Sequence, residues 1–178
     1  IISTHADGTA TFDITYYDEN GNIGASALSS TTDGSLVTVD KTAPTVTTSI
    51  ASNNATTSLA KAADLVTLTI SSNEQLYNAP TVTIDGNAQT TNPTIAASSY
   101  TAIRTMDAAD TQGVLAFIVS GIKDNAGNAA SNNTATNDAT SVTFDSVVPT
   151  LTGLTIAASA DFDNDNATSL AKSGDVVT

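Results

Sequence analysis

One short stretch recurs and sets the frame for the rest of the chain. Val39-Asp40-Lys41-Thr42-Ala43-Pro44-Thr45-Val46-Thr47 returns, altered, as Phe144-Asp145-Ser146-Val147-Val148-Pro149-Thr150-Leu151-Thr152. The aspartates Asp40 and Asp145 stand 105 residues apart, and so do Pro44 and Pro149. A short run with a φ-fixing proline between two strand-like stretches reads as the seam between tandem domains. Two seams in 178 residues frame one complete repeat, 44–148. Residues 1–43 then read as the C-terminal part of a preceding repeat and 149–178 as the N-terminal part of a following one. The stretch equivalent to residues 68–105 has no counterpart in either flank.

Other pairs keep the same period. Gly8 and Gly113 differ by 105, as do Phe12 and Phe117. Asp18-x-x-Gly21-Asn22 returns as Asp124-x-x-Gly127-Asn128 at 106, so one residue has been added in that strand. Ser58-Leu59-Ala60-Lys61 and Asp64-Leu65-Val66-Thr67 return at 111 as Ser169-Leu170-Ala171-Lys172 and Asp175-Val176-Val177-Thr178. That places an insertion of about six residues near Asp161–Asn166, in a loop, where insertions are tolerated.

The period is filled with short strands. Ala10, Phe12, Ile14 and Tyr16 alternate with polar residues, the pattern of a half-buried strand, and Leu36–Val39 ends the first flank. The complete repeat predicts strands at Thr45–Ile50, Val66–Ile70, Thr81–Ile84, near Ala88–Thr91, at Tyr100–Met106, Val114–Ile122 and Ser141–Phe144. Asp-Gly and Asp-x-x-Gly-Asn turns join them. Leu, Glu, Lys and Arg, which helices favour, are scarce. The expected class is all-β: tandem immunoglobulin-like β-sandwich repeats of about 105 residues.

In order and spacing, several motifs resemble the tandem bacterial immunoglobulin-like repeats of large surface proteins and adhesins. They are Asn53-Asn54-Ala55-Thr56, Ser58-Leu59-Ala60-Lys61, Val66–Ile70 with Glu74 following, Pro80–Ile84, Asp124-x-x-Gly127-Asn128 and Asp40–Pro44. The third copy departs at its seam, where Ser146-Val147-Val148 replaces Lys-Thr-Ala. The resemblance implies a sandwich fold, an extracellular or cell-surface setting and a structural extender role. It names no ligand.

A net charge of −13, from 18 acidic against 5 basic residues, argues against nucleic acid and against anionic membrane. No apolar run is long enough to enter a bilayer. With no cysteine, disulfides and thiolate zinc sites are ruled out. No catalytic constellation emerges, and His5, the one histidine, aligns with Asp110 in the complete repeat. The chain is read as a non-enzyme whose partners are neighbouring repeats of the same chain, with lateral or end-to-end self-association open.

Calcium is the cofactor these residues suit. It is a hard cation that takes oxygen ligands from carboxylates and amides. Candidate ligands are Asp40 and Asp145 at the seams, Asp18, Asn22, Asp124 and Asn128 in the Gly-Asn turns, and Glu74 after a strand. In a sandwich, seam and turns at one end can converge. The competing reading gives Asp and Asn to turn formation alone. A second candidate is the run Asp161, Asp163, Asp165, which opens like a calcium loop. It continues with Asn166 where an EF-hand needs Gly and Lys172 where it needs Glu. Lys61 raises a further option, an isopeptide bond to an asparagine beside a buried acid, against the simpler reading as a solvated lysine. Alternative functions are a self-assembling extracellular filament or coat, or a carbohydrate- or surface-binding module.

Overall fold

The computed structural model describes residues 6–25 and 28–154. His5, Asp161, Asp163, Asp165 and Lys172 lie outside the described residues. The chain divides into two compact units, Ile1–Ser146 and Val147–Thr178. Among the described residues it is all-β, with no helix.

The first unit begins with β1 (Gly8–Thr9) and β2 (Thr38–Val39), an antiparallel pair. There follow β3 (Val46–Ser52), β4 (Leu59–Ala60), β5 (Leu65–Ser72), β6 (Thr81–Ile84), β7 (Asn87–Gln89), β8 (Thr91–Asn92), β9 (Ser99–Thr105), β10 (Gly113–Val114), β11 (Phe117–Ser120) and β12 (Thr143–Phe144). The largest sheet has the order β3-β5-β9-β8, and a second has β11-β6-β7. A small third sheet, β10-β12-β4, includes a parallel pairing of Thr143 and Phe144 with Leu59 and Ala60.

Alternation decides what faces inward. Val66, Leu68 and Ile70 of β5 are fully buried, as are Val82 and Ile84 of β6 and Val119 of β11. With Ile50, Tyr100, Ala102, Phe117, Val142 and Phe144 they form one core fed by all three sheets, an arrangement consistent with a β-sandwich. Burial of this kind, at roughly 25 cal/mol per Å² of apolar surface, is what holds strands too short to persist alone. The Tyr100 hydroxyl is not stranded in the core, because it bonds both the amide and the carbonyl of Ala97.

Strand positions follow the sequence expectation closely from β3 to β9. Two features differ. The expected run Val114–Ile122 is broken into β10 and β11, and the residue added relative to the first flank falls just after β11. Val119 matches Ile14 at 105 in backbone pairing, whereas Ile122 matches Tyr16 at 106. Between them Gly121 adopts φ +72°, which glycine takes without steric cost. The second feature is β4, read from the sequence as loop. It packs Ala60 into the core and pairs with β12.

The loop around β4 is fastened by charge. Lys61 Nζ lies 2.7 Å from Asp64 Oδ1, and Asn54 Nδ2 donates to Asp64 Oδ2 at 2.9 Å. The bonds from the Lys61 and Asn54 side chains and the Lys61 amide hold the Asp64 carboxyl down at about 2. Lys61 therefore faces an ionised partner with its own side chain largely exposed. That is an ion-pair clasp.

The backbone pairing of residues 10–37 recurs in residues 115–142. Ala10 N donates to Val37 O as Leu115 N does to Val142 O, and Ile14 and Leu28 exchange the bonds that Val119 and Asn133 exchange. Every one of these positions is shifted by 105. Burial is not repeated. Phe12, Ile14 and Val37 are 40%, 51% and 63% exposed, against 6%, 0% and 0% for Phe117, Val119 and Val142. The sequence expectation of a half-buried strand over 10–16 is not met: only an isolated bridge at Ile14 forms there, and Phe12, Ile14 and Tyr16 are exposed. Of the second unit, residues 147–154 are described, with Val147, Val148, Leu151 and Leu154 exposed.

This asymmetry sets an expected outcome. Phe117→Ala should lower the unfolding free energy in a urea titration by about 3–5 kcal/mol. Phe12→Ala, at the equivalent place, should change it by no more than about 0.5 kcal/mol. Equal losses would contradict the description.

Candidate metal centre

The seam is held by side-chain acceptors on both sides of Pro44. Before it, Asp40 Oδ1 accepts from the Thr42 amide at 3.0 Å, closing a local turn. Asp7 reaches across to take the Lys41 amide at 3.0 Å and the Thr42 hydroxyl at 2.6 Å. After it, Asn73 Oδ1 accepts from the Thr45 amide at 2.7 Å, and the Asn73 amide donates to Thr45 O at 3.1 Å. Asn73 directly follows β5, so this exchange brings the next residue, Glu74, to the seam.

The third element is the turn 124–128. Asn128 donates twice to Asp124, from its amide to Oδ1 at 2.8 Å and from Nδ2 to Oδ2 at 2.7 Å. The same Nδ2 donates to the Asp40 backbone carbonyl at 3.1 Å. One asparagine therefore ties the turn to the seam, 88 residues away in sequence. A bridge between Leu76 and Asp124 fixes the other side. The three elements bring together Asp40, Glu74 and Asp124, which can each offer a carboxylate oxygen within 4.8 Å of the other two.

The electrostatics are those of a crowded acidic site. Asp124 is 1% exposed. Burial pushes its carboxyl up, but the bonds from the Asn128 side chain and amide, and from the turn amides, outweigh this and leave it low. It stays ionised where it is most enclosed. Glu74 is pushed up, first by burial and then by the charges of Asp124 and Asp40. The ion pairs Lys61–Asp64 and Arg104–Asp110 lie outside this cluster.

The donor set decides which ion suits it. Two oxygens bound to one calcium at ~2.3–2.6 Å can stand no more than about 5 Å apart, which the 4.8 Å limit satisfies. All three donors are hard oxygens with no imidazole or thiolate, which selects calcium or magnesium over zinc or copper. Three carboxylates leave coordination places for water, as in most calcium sites.

The other candidates fall elsewhere. Asp18 and Asn22 form the same turn as Asp124 and Asn128, with bonds of 2.8 Å from both the amide and Nδ2 of Asn22. The Asn22 side chain, then the backbone amides, hold the Asp18 carboxyl low. That turn is exposed and belongs to no such group of three among the described residues. Asp145 is exposed on the second seam. Its neighbour Ser146 donates its amide to Gln112 Oε1 at 2.9 Å, the bond that Lys41 gives Asp7 one period earlier. Asp7, Gln112 and Asn73 were not singled out in the sequence. Asp7 and Gln112 precede matching glycines, Gly8 and Gly113, which was the available signal. Asn73 carried none.

Searches against family descriptions, curated proteins and solved structures return no match. No helix among the described residues is long and apolar enough to cross a membrane.

The raised Glu74 gives a pH dependence with a definite sign. Its folded form holds the proton more tightly than the unfolded chain does. The acid form thus favours folding, and that contribution is lost as pH rises through the folded value. In chelator, the melting temperature of the wild type relative to Glu74→Gln should fall as pH rises above the ordinary carboxylate range. A difference that is flat with pH would show that the carboxylates do not strain one another.

Proposed function

We propose that this chain is a structural extender segment of a long extracellular surface protein, adhesin-like, whose tandem immunoglobulin-like repeats are stiffened by calcium at their seams. The observation that carries the reading is the convergence of Asp40 from the seam with Glu74 and Asp124 from the following repeat. A cation there neutralises three mutually repelling carboxylates and fixes the seam to two separate loops. The seam is short and contains Pro44, so it has little freedom to begin with. The recurrence of its amide bond at Asp7 and Gln112, and of the Asp-Asn turn at 18–22 and 124–128, is what an array of interchangeable units calls for. The function is mechanical: to hold a terminal region away from a cell surface.

Thermal melts in calcium and in excess chelator test the proposal. An ion that binds only the folded state stabilises it by about 2.7 kcal/mol at a hundredfold excess over its dissociation constant. Calcium should raise the melting temperature of the wild type, and Asp40→Ala and Asp124→Ala should each abolish that rise. Asp18→Ala should keep it. A melt unmoved by calcium, or moved equally in all variants, would refute the calcium-stiffened seam.

A further inference from the structure

Arg104, the chain's one arginine, stands in a row that is otherwise apolar. Tyr100 and Ala102 hold the inward positions before it on β9 and Met106 follows, all buried, and Arg104 itself is 7% exposed. A guanidinium does not shed its charge, so its enclosure needs partners. Nη1 donates to the Ile84 carbonyl of β6 at 2.9 Å, and Nη2 donates to Asp110 Oδ1 in an ion pair. Nε is buried with no partner among the described residues. An apolar side chain of similar volume is often as stable in such a place. Packing alone therefore does not account for the pair.

What accounts for it is the loop that Asp110 holds. Asp110 Oδ2 accepts from the Asp107 amide at 2.7 Å, and the Asp110 amide donates to Asp107 O at 3.0 Å, closing residues 107–110 on themselves. Together with Gln112, this loop grips the second seam. Ser146 donates its amide to Gln112 Oε1 at 2.9 Å, and its hydroxyl accepts from Gln112 Nε2 at 2.8 Å. The same hydroxyl donates to Ala108 O at 3.3 Å. Ser146 is half-buried between the exposed Asp145 and Val147, and it is the last residue of the first unit.

We propose that the segment 107–112 is a latch on the point where the chain leaves the first unit, and that Arg104 holds this latch shut from inside the core. One side chain joins β9, the β6 carbonyl and the loop that grips Ser146. With the ion pair in place, the exit of the chain is fixed to the core. Without it, loop and exit open together while the sheets stay packed, a local opening that lies below global unfolding in free energy. The latch uses no cation and none of Asp40, Glu74 or Asp124. It goes beyond the calcium reading, and the two fail separately.

Amide exchange of the full chain, followed residue by residue by NMR, tests the latch. Arg104→Met combined with Asp110→Asn removes both charges and leaves neither unpaired. The Ser146 amide should then exchange at least tenfold faster, while the amides of Leu68 and Ile70 in β5 keep their rates. Gln112→Ala alone should accelerate Ser146 to the same degree. Adding it to the double variant should bring no further gain, because both changes release one bond. If the double variant does not fold, Asp110→Asn alone carries the same comparison. An unchanged Ser146 rate, a rise shared by Ser146, Leu68 and Ile70, or gains that multiply when the substitutions are combined would overturn the proposal.

Discussion

A strand with alternating side chains is held in place by whatever covers its apolar side. The core of this chain follows from where that cover is present. In residues 44–146 the inward positions of three sheets meet in one core, and Leu68, Ile70, Val82 and Val119 are fully buried. In residues 6–43 the same backbone bonds form at the same spacing, yet Phe12, Ile14 and Val37 stay exposed. Local hydrogen bonding is thus reproduced without the layer that completes it. The core is the consequence of that requirement being met.

The seam depends on a different balance. Side-chain carbonyl and carboxylate oxygens from Asp7, Asn73 and Asp40 take up backbone amides that the proline-containing crossing leaves unpaired. Those amides must find acceptors wherever the seam is enclosed. The acceptors that do this are mostly acidic or lie beside acids, so the arrangement gathers negative charge as it closes. Asn128 offsets part of it by donating to Asp124 and to the Asp40 carbonyl at once. The raised Glu74 marks the remainder. A divalent cation is the natural counter-charge, and the fixed crossing it would produce is the physical content of the extender proposal.

Much of this was legible in the sequence. The all-β class, the positions of β3, β5, β6 and β9 and the Asp-x-x-Gly-Asn turns all follow from alternation and turn chemistry, which act over a few residues. Asp40, Glu74 and Asp124 were among the candidate ligands, but nothing local separated them from Asp18 or Asp145. That distinction depends on which loops meet in space. The same holds for β4, whose two residues carry no strand pattern and are recruited by parallel pairing with β12. Asn73 was invisible because an asparagine after a strand looks like any turn former. The exposure of Phe12 and Ile14 could not be read either, since alternation reports which side is apolar and not whether anything covers it.

The most direct measurement of the central claim is residue-resolved hydrogen exchange with calcium and with chelator. Exchange reports local opening, and an ion at the seam should slow it there first. Calcium is expected to protect the amides of Thr42, bonded to Asp40, and Asn128, bonded to Asp124, by tenfold or more, for ~1.4 kcal/mol of local stabilisation. The Asn22 amide, bonded to Asp18 in the same turn without the neighbouring carboxylates, should be unaffected. Equal exchange with and without calcium at Thr42 and Asn128, or equal protection at Asn22, would contradict the account.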